Sequence, residues 1–67
     1  MKVKPGSVWV SSDNAQFIVI DVVEVDGHTW VHYRNDNKAE PREYSCYEES
    51  FVLRFREYVN NKYQHIL

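Results

Sequence analysis

The stretch "FIVIDVVEVDGHTWVHY", residues 17 to 33, holds two apolar runs joined by Asp26-Gly27. Asp-Gly between β-branched runs is a strong hairpin signal, because a two-residue type I′ turn needs positive φ at both central positions. A helix is disfavoured here, since six of the ten residues in 16–25, QFIVIDVVEV, are β-branched and lose rotamer freedom in helices. The pattern therefore predicts a strand over 16–25 and an antiparallel return over 28–34. Closing the loop on Asp26-Gly27 sets Val25 against His28, Val23 against Trp30, Asp21 against His32 and Val19 against Arg34. Ile20 then meets Tyr33, and Val22 meets Val31. An uninterrupted ladder puts Ile18, Ile20, Val22, Val31 and Tyr33 on a core face, and Val19, Asp21, Val23, Trp30, His32 and Arg34 on the other. Asp21 and His32 are expected to form a cross-strand pair on that mixed face, as structural polar groups rather than a reactive couple.

Upstream, Pro5-Gly6 reads as a turn, "SVWVS" (7–11) as a short strand and Ser12-Asp13-Asn14-Ala15 as a second turn. Downstream, "NDNKAE" (35–40) is a polar loop, and "PREYSC" (41–46) suits a strand with Pro41 at its first position. The period then changes. Ser45-x-x-Glu48 has the form of a capping box, and Tyr47, Phe51, Phe55 and Tyr58 follow at spacings of four, four and three, extended by Val52 and Val59. This predicts an amphipathic helix over about 47–59, ending near Asn60-Asn61. The expected architecture is one mainly β domain over 1–60, a small bent antiparallel sheet closed by a short C-terminal helix, with a tail over 61–67.

Sixty-seven residues build a core that supplies only about 3–5 kcal/mol of surplus stability. Cys46 is the only cysteine, so no disulfide forms within the chain, and a lone thiol suits a reducing compartment. Eight Lys and Arg stand against ten Asp and Glu, a balance that exerts no global pull on nucleic acid. No apolar run approaches the roughly 18 residues of a membrane span, and no signal-peptide core follows the basic start. The expected location is the cytoplasm. Ten aromatic residues fill a small core efficiently and, where exposed, make good binding groups.

Enzyme chemistry is not expected. No serine lies in a nucleophile-elbow setting, no phosphate loop is possible with glycine only at Gly6 and Gly27, and no pair of carboxylates is forced together. Neither metal nor cofactor is expected: His28 and His32 lie on one strand roughly 13 Å apart, and His65 has no second ligand at a recognised interval. Cys46 reads as a small buried hydrophobe. The favoured function is protein binding through Val19, Val23, Trp30, His32 and Arg34. The alternative is nucleic-acid binding, with Trp30 and Tyr33 stacking on bases beside the Arg34 cation, and Arg42, Arg54, Arg56, Lys2 and Lys4 on phosphates. Pairing of this face with a second copy is a further reading.

"KPGSVWVSSDNAQFIVIDVV", "VHYRN" and "YSCYEESFVLRF" together resemble a family of short proteins from tailed phages and enterobacterial prophages. Gly6, Trp9, Val31, Tyr33, Arg34, Tyr44, Cys46, Phe51 and Phe55 occupy the positions that carry the resemblance, which spans residues 5 to 58. It implies an SH3-like small barrel, residence in a bacterial host cytoplasm and, by analogy of class, a protein that binds and redirects a host or phage protein. It transfers no active-site residues.

Overall fold

A computed structural model describes residues 3–58. Lys2, the expected helix end at Val59 to Asn61 and the expected C-terminal tail with His65 lie outside the described residues. The elements in chain order are β1 (Val8–Ser11), β2 (Gln16–Val25), β3 (His28–Asn35), β4 (Glu43–Tyr47), α1 (Glu48–Arg54) and β5 (Phe55–Glu57). They form one antiparallel five-stranded sheet in the order β4-β3-β2-β1-β5. The mainly β class expected from the sequence is the observed one. Asp26 (φ 52°) and Gly27 (φ 81°) supply the two left-handed residues of the β2–β3 turn, as a type I′ hairpin requires. Asn14 adopts φ 68° in the β1–β2 turn, a conformation that Asn tolerates better than most residues.

The hairpin register holds from Val25↔His28 down to Asp21↔His32 and then breaks. Ile20 is left unpaired as a bulge, and Val19 pairs with Tyr33, Ile18 with Arg34 and Phe17 with Asn35. One extra residue in a period-two strand exchanges its faces. Val19 is therefore core, 1% exposed, whereas Ile20 is 42% exposed. This corrects two assignments: Val19 cannot serve a partner-binding face, and Ile20 is not core. Ile18, also expected in the core, pairs with Arg34 in register and is half-buried. The physical reason lies on the other side of β2. The N–H of Gly6 donates to the Val19 carbonyl (2.8 Å) and the N–H of Val19 to the Ser7 carbonyl (2.9 Å), so the chain before β1 also fixes this residue.

The helix is shorter than the four-residue spacing suggested. It ends at Arg54, and Phe55–Glu57 turn out as β5, paired with β1. Phe51 and Phe55 still both enter the core, one from helix and one from strand, while Tyr58 and Leu53 are exposed. Tyr47 is the N-cap residue and makes no side-chain cap. Ser45 lies within β4, so the expected capping box does not form. The core holds Val3, Trp9, Val19, Val31, Tyr33, Phe51 and Phe55, with Phe17, Val22 and Cys46 packed against it.

Phe51→Ala should cost about 3–5 kcal/mol, whereas Ile20→Ala should stay within about 0.5 kcal/mol, as read from denaturant midpoints. A comparable loss at Ile20 would return it to the core and remove the bulge.

Candidate functional site

The outer face of the β2–β3–β4 segment carries the side chains that the sequence marked for binding. Trp30 sits between Val23 on β2 and Tyr47 on β4, and His32 between Asp21 and Ser45. Arg34 lies between Ile18 and Glu43. The Trp30 and Tyr47 rings are 4.4 Å apart, and Tyr47 stacks on His28 at 5.0 Å. Trp30 is half-buried, while Val23, Val25 and Tyr47 are exposed. The result is an apolar and aromatic patch at the turn end of the hairpin.

Of the five expected site residues, Val23, Trp30, His32 and Arg34 share this face and Val19 lies beneath it. Tyr47 and His28 were not among the expected contacts. Extending β4 by one residue would have found Tyr47, because the strand register then sets it against Trp30.

Asp21 and His32 do face each other in register, yet their side chains serve different partners. An Asp21 carboxylate oxygen accepts the N–H of Val22 at 2.9 Å, next to the bulge. His32 Nδ1 is 2.8 Å from the Ser45 hydroxyl. No Asp–His couple forms, and this stretch is a structural hairpin with a polar seam.

Tyr33 is 3% exposed and packs between Phe17, Tyr44, Phe51 and Phe55. Its burial removes it from any base-stacking surface. Arg34 Nη1 donates to its neighbour's carbonyl, that of Asn35, at 3.4 Å. The ion pair found among the described residues, Arg42 with Glu40 at 3.9 Å, is exposed on both sides and contributes little.

Among the described residues no three His, Cys, Asp or Glu side chains gather into a metal site, and no helix is long and apolar enough to cross a membrane. A cleft of about 640 Å³ lies between the β1–β2 turn and the β3–β4 loop, with Phe17 and Tyr44 among its walls. Its lining supplies amides, Asp36 and Lys38 but neither histidine, serine nor cysteine.

Cys46 is half-buried on the inner face, opposite Val31. Burial pushes its thiol up, against the opposing pull of the Arg54 charge. The Tyr33 phenol is also raised, first by burial and then by Cys46. Both groups are thus held neutral, the opposite of an activated nucleophile.

The chain matches no family model, no curated protein and no solved structure.

Two measurements test this geometry. In double-mutant cycles His32 and Ser45 should couple by about 0.5–1.5 kcal/mol, as a hydrogen bond does, while Asp21 and His32 should be additive within about 0.5 kcal/mol. The raised Cys46 and Tyr33 groups contribute stability that is complete below their unfolded values and is lost as pH rises through the folded ones. Stability measured by denaturant should therefore fall from about pH 8.5 upward, and Cys46→Ala should reduce the slope in the first part of that range. A stability that is flat to pH 10 would contradict the burial of Cys46, and one that stays flat above pH 10 that of Tyr33.

Proposed function

We propose that the protein is a non-enzymatic binding module of phage type, which captures a host or phage protein in the bacterial cytoplasm through the outer face of β2, β3 and β4. The observation that carries this reading is the Trp30–Tyr47–His28 ring cluster, flanked by exposed Val23 and Val25. Rigid aromatic side chains with apolar neighbours and a rim of His32 and Arg34 have the composition of an interface centre. Val19 plays no part, and its place in the patch is taken by Tyr47. The nucleic-acid alternative is weakened by the loss of Tyr33 to the core and by the acidic excess of the chain.

Trp30→Ala tests the reading, because Trp30 lies outside the core cluster and the variant should remain folded. Its truncation should weaken capture of the partner by about 30-fold or more, the effect of losing a hot spot of roughly 2 kcal/mol. Affinity purification from bacterial lysate, repeated after nuclease treatment, should recover one protein that the variant fails to hold. Tight binding to bare oligonucleotides, falling steeply as salt is raised, would overturn the proposal, because counterion release is the mark of phosphate contacts.

A further inference from the structure

β4 is the terminal strand on one side of the sheet. The N–H of Asn35 donates to the Arg42 carbonyl, and the N–H of Arg42 to the Asn35 side chain, so the backbone of Arg42 points toward β3. Alternation along an antiparallel strand then directs the backbone groups of Tyr44 and Cys46 to β3, and those of Glu43, Ser45 and Tyr47 outward. The Tyr47 carbonyl opens α1. The N–H groups of Glu43, Ser45 and Tyr47 and the carbonyls of Glu43 and Ser45 have no backbone partner among the described residues.

Exposed edges are usually defended by an inward charge, a lysine, a bulge, a proline or extreme shortness. β5 is three residues long. β4 has five residues, EYSCY, with no bulge, no lysine and no proline. Its one charged residue, Glu43, stands exposed at its first position, and the other charges lie beyond its two ends. Arg42 precedes it and is exposed; Glu48 and Glu49 follow it, as the first residues of α1.

We propose that a second copy of this chain pairs with β4, antiparallel across a two-fold axis at Ser45, to form a continuous ten-stranded sheet. In that register Ser45 meets its own copy, Glu43 meets Tyr47, Tyr44 meets Cys46, and Arg42 meets Glu48 with Glu49 beside it. Strand polarity alone brings opposite charges together at both ends, and the two-fold axis duplicates the contact. About four backbone hydrogen bonds form, two between the Ser45 residues and one from each Tyr47 N–H to the Glu43 carbonyl. A parallel pairing would instead put Arg42 against Arg42 and Glu48 against Glu48. The interface uses the β4 backbone, including that of Tyr47, whereas partner capture rests on the Trp30 side chain, so a variant at Trp30 separates the two proposals.

Sedimentation of the full chain tests the pairing. The wild type should show a concentration-dependent dimer. Arg42→Glu and Glu48→Arg each place like charges together at both ends and should each weaken the dimer roughly tenfold, the combined effect of two modest surface pairs turned repulsive. Mixed in equal amounts, the two variants should recover dimer formation, since each end again joins opposite charges. Circular dichroism confirms that each is folded, and Trp30→Ala should dimerise as the wild type does. A monomeric wild type, or a dimer that neither charge variant weakens, would overturn the proposal. So would a dimer lost in Trp30→Ala, which would assign self-association to the outer face.

Discussion

Phe51 has no exposed surface, and its ring meets Trp9 at 5.0 Å, Tyr33 at 5.0 Å and Phe55 at 4.7 Å. Those rings come from β1, β3 and β5. A seven-residue helix is too short to be stable alone, so it exists because Phe51 is held there. In return it closes the open side of the sheet and redirects the chain from β4 on one edge to β5 on the other. Edge-to-face contacts add about 0.5–1.5 kcal/mol each beyond the area they bury. For a chain with a single cysteine and, among the described residues, a core cluster of seven side chains, these contacts take the place of a covalent staple.

The sequence made the hairpin legible because its signal is local. Asp26-Gly27 specifies a backbone conformation that few other pairs reach, and the register follows from it for five pairs, Val25↔His28 to Asp21↔His32. The bulge was not legible. No glycine or proline marks Ile20, and "FIVID" is apolar on both faces, so a shift by one residue leaves its pattern intact. What selects Val19 over Ile20 for the core is its backbone pairing with Gly6 and Ser7, which is tertiary and absent from any local pattern.

The helix was overextended for a related reason. Phe51 and Phe55 are four apart, as on one helical face, but they also converge when a helix ends between them and the chain bends into a strand. Periodicity records which residues are buried more reliably than the element that buries them. The same degeneracy misled the reading of Ser45. Its spacing from Glu48 suits a cap, yet β4 continues through Tyr47 and turns the hydroxyl toward His32. The candidate surface was legible in Trp30, Val23, His32 and Arg34, whose register the hairpin fixes. It was illegible in Tyr47, which depends on where β4 ends.

That end point shapes the outer surface as a whole. If β4 stopped at Cys46, Trp30 would have Val23 beside it and open space on the other side. Tyr47 fills that space, and its stacking on His28 carries the patch to the turn. The same residue presents its N–H at the sheet edge while its carbonyl starts α1. Tyr47 is thus the junction of three features: the aromatic patch, the open edge and the helix that holds Phe51. Antiparallel pairing through β4 keeps equivalent faces of both copies on the same side of the sheet. Two Trp30 patches would then face one direction, related by the two-fold axis at Ser45. A partner with two matching sites would gain the effective concentration of a linked pair without any new contact. Self-association and partner capture would reinforce each other through the geometry of one strand.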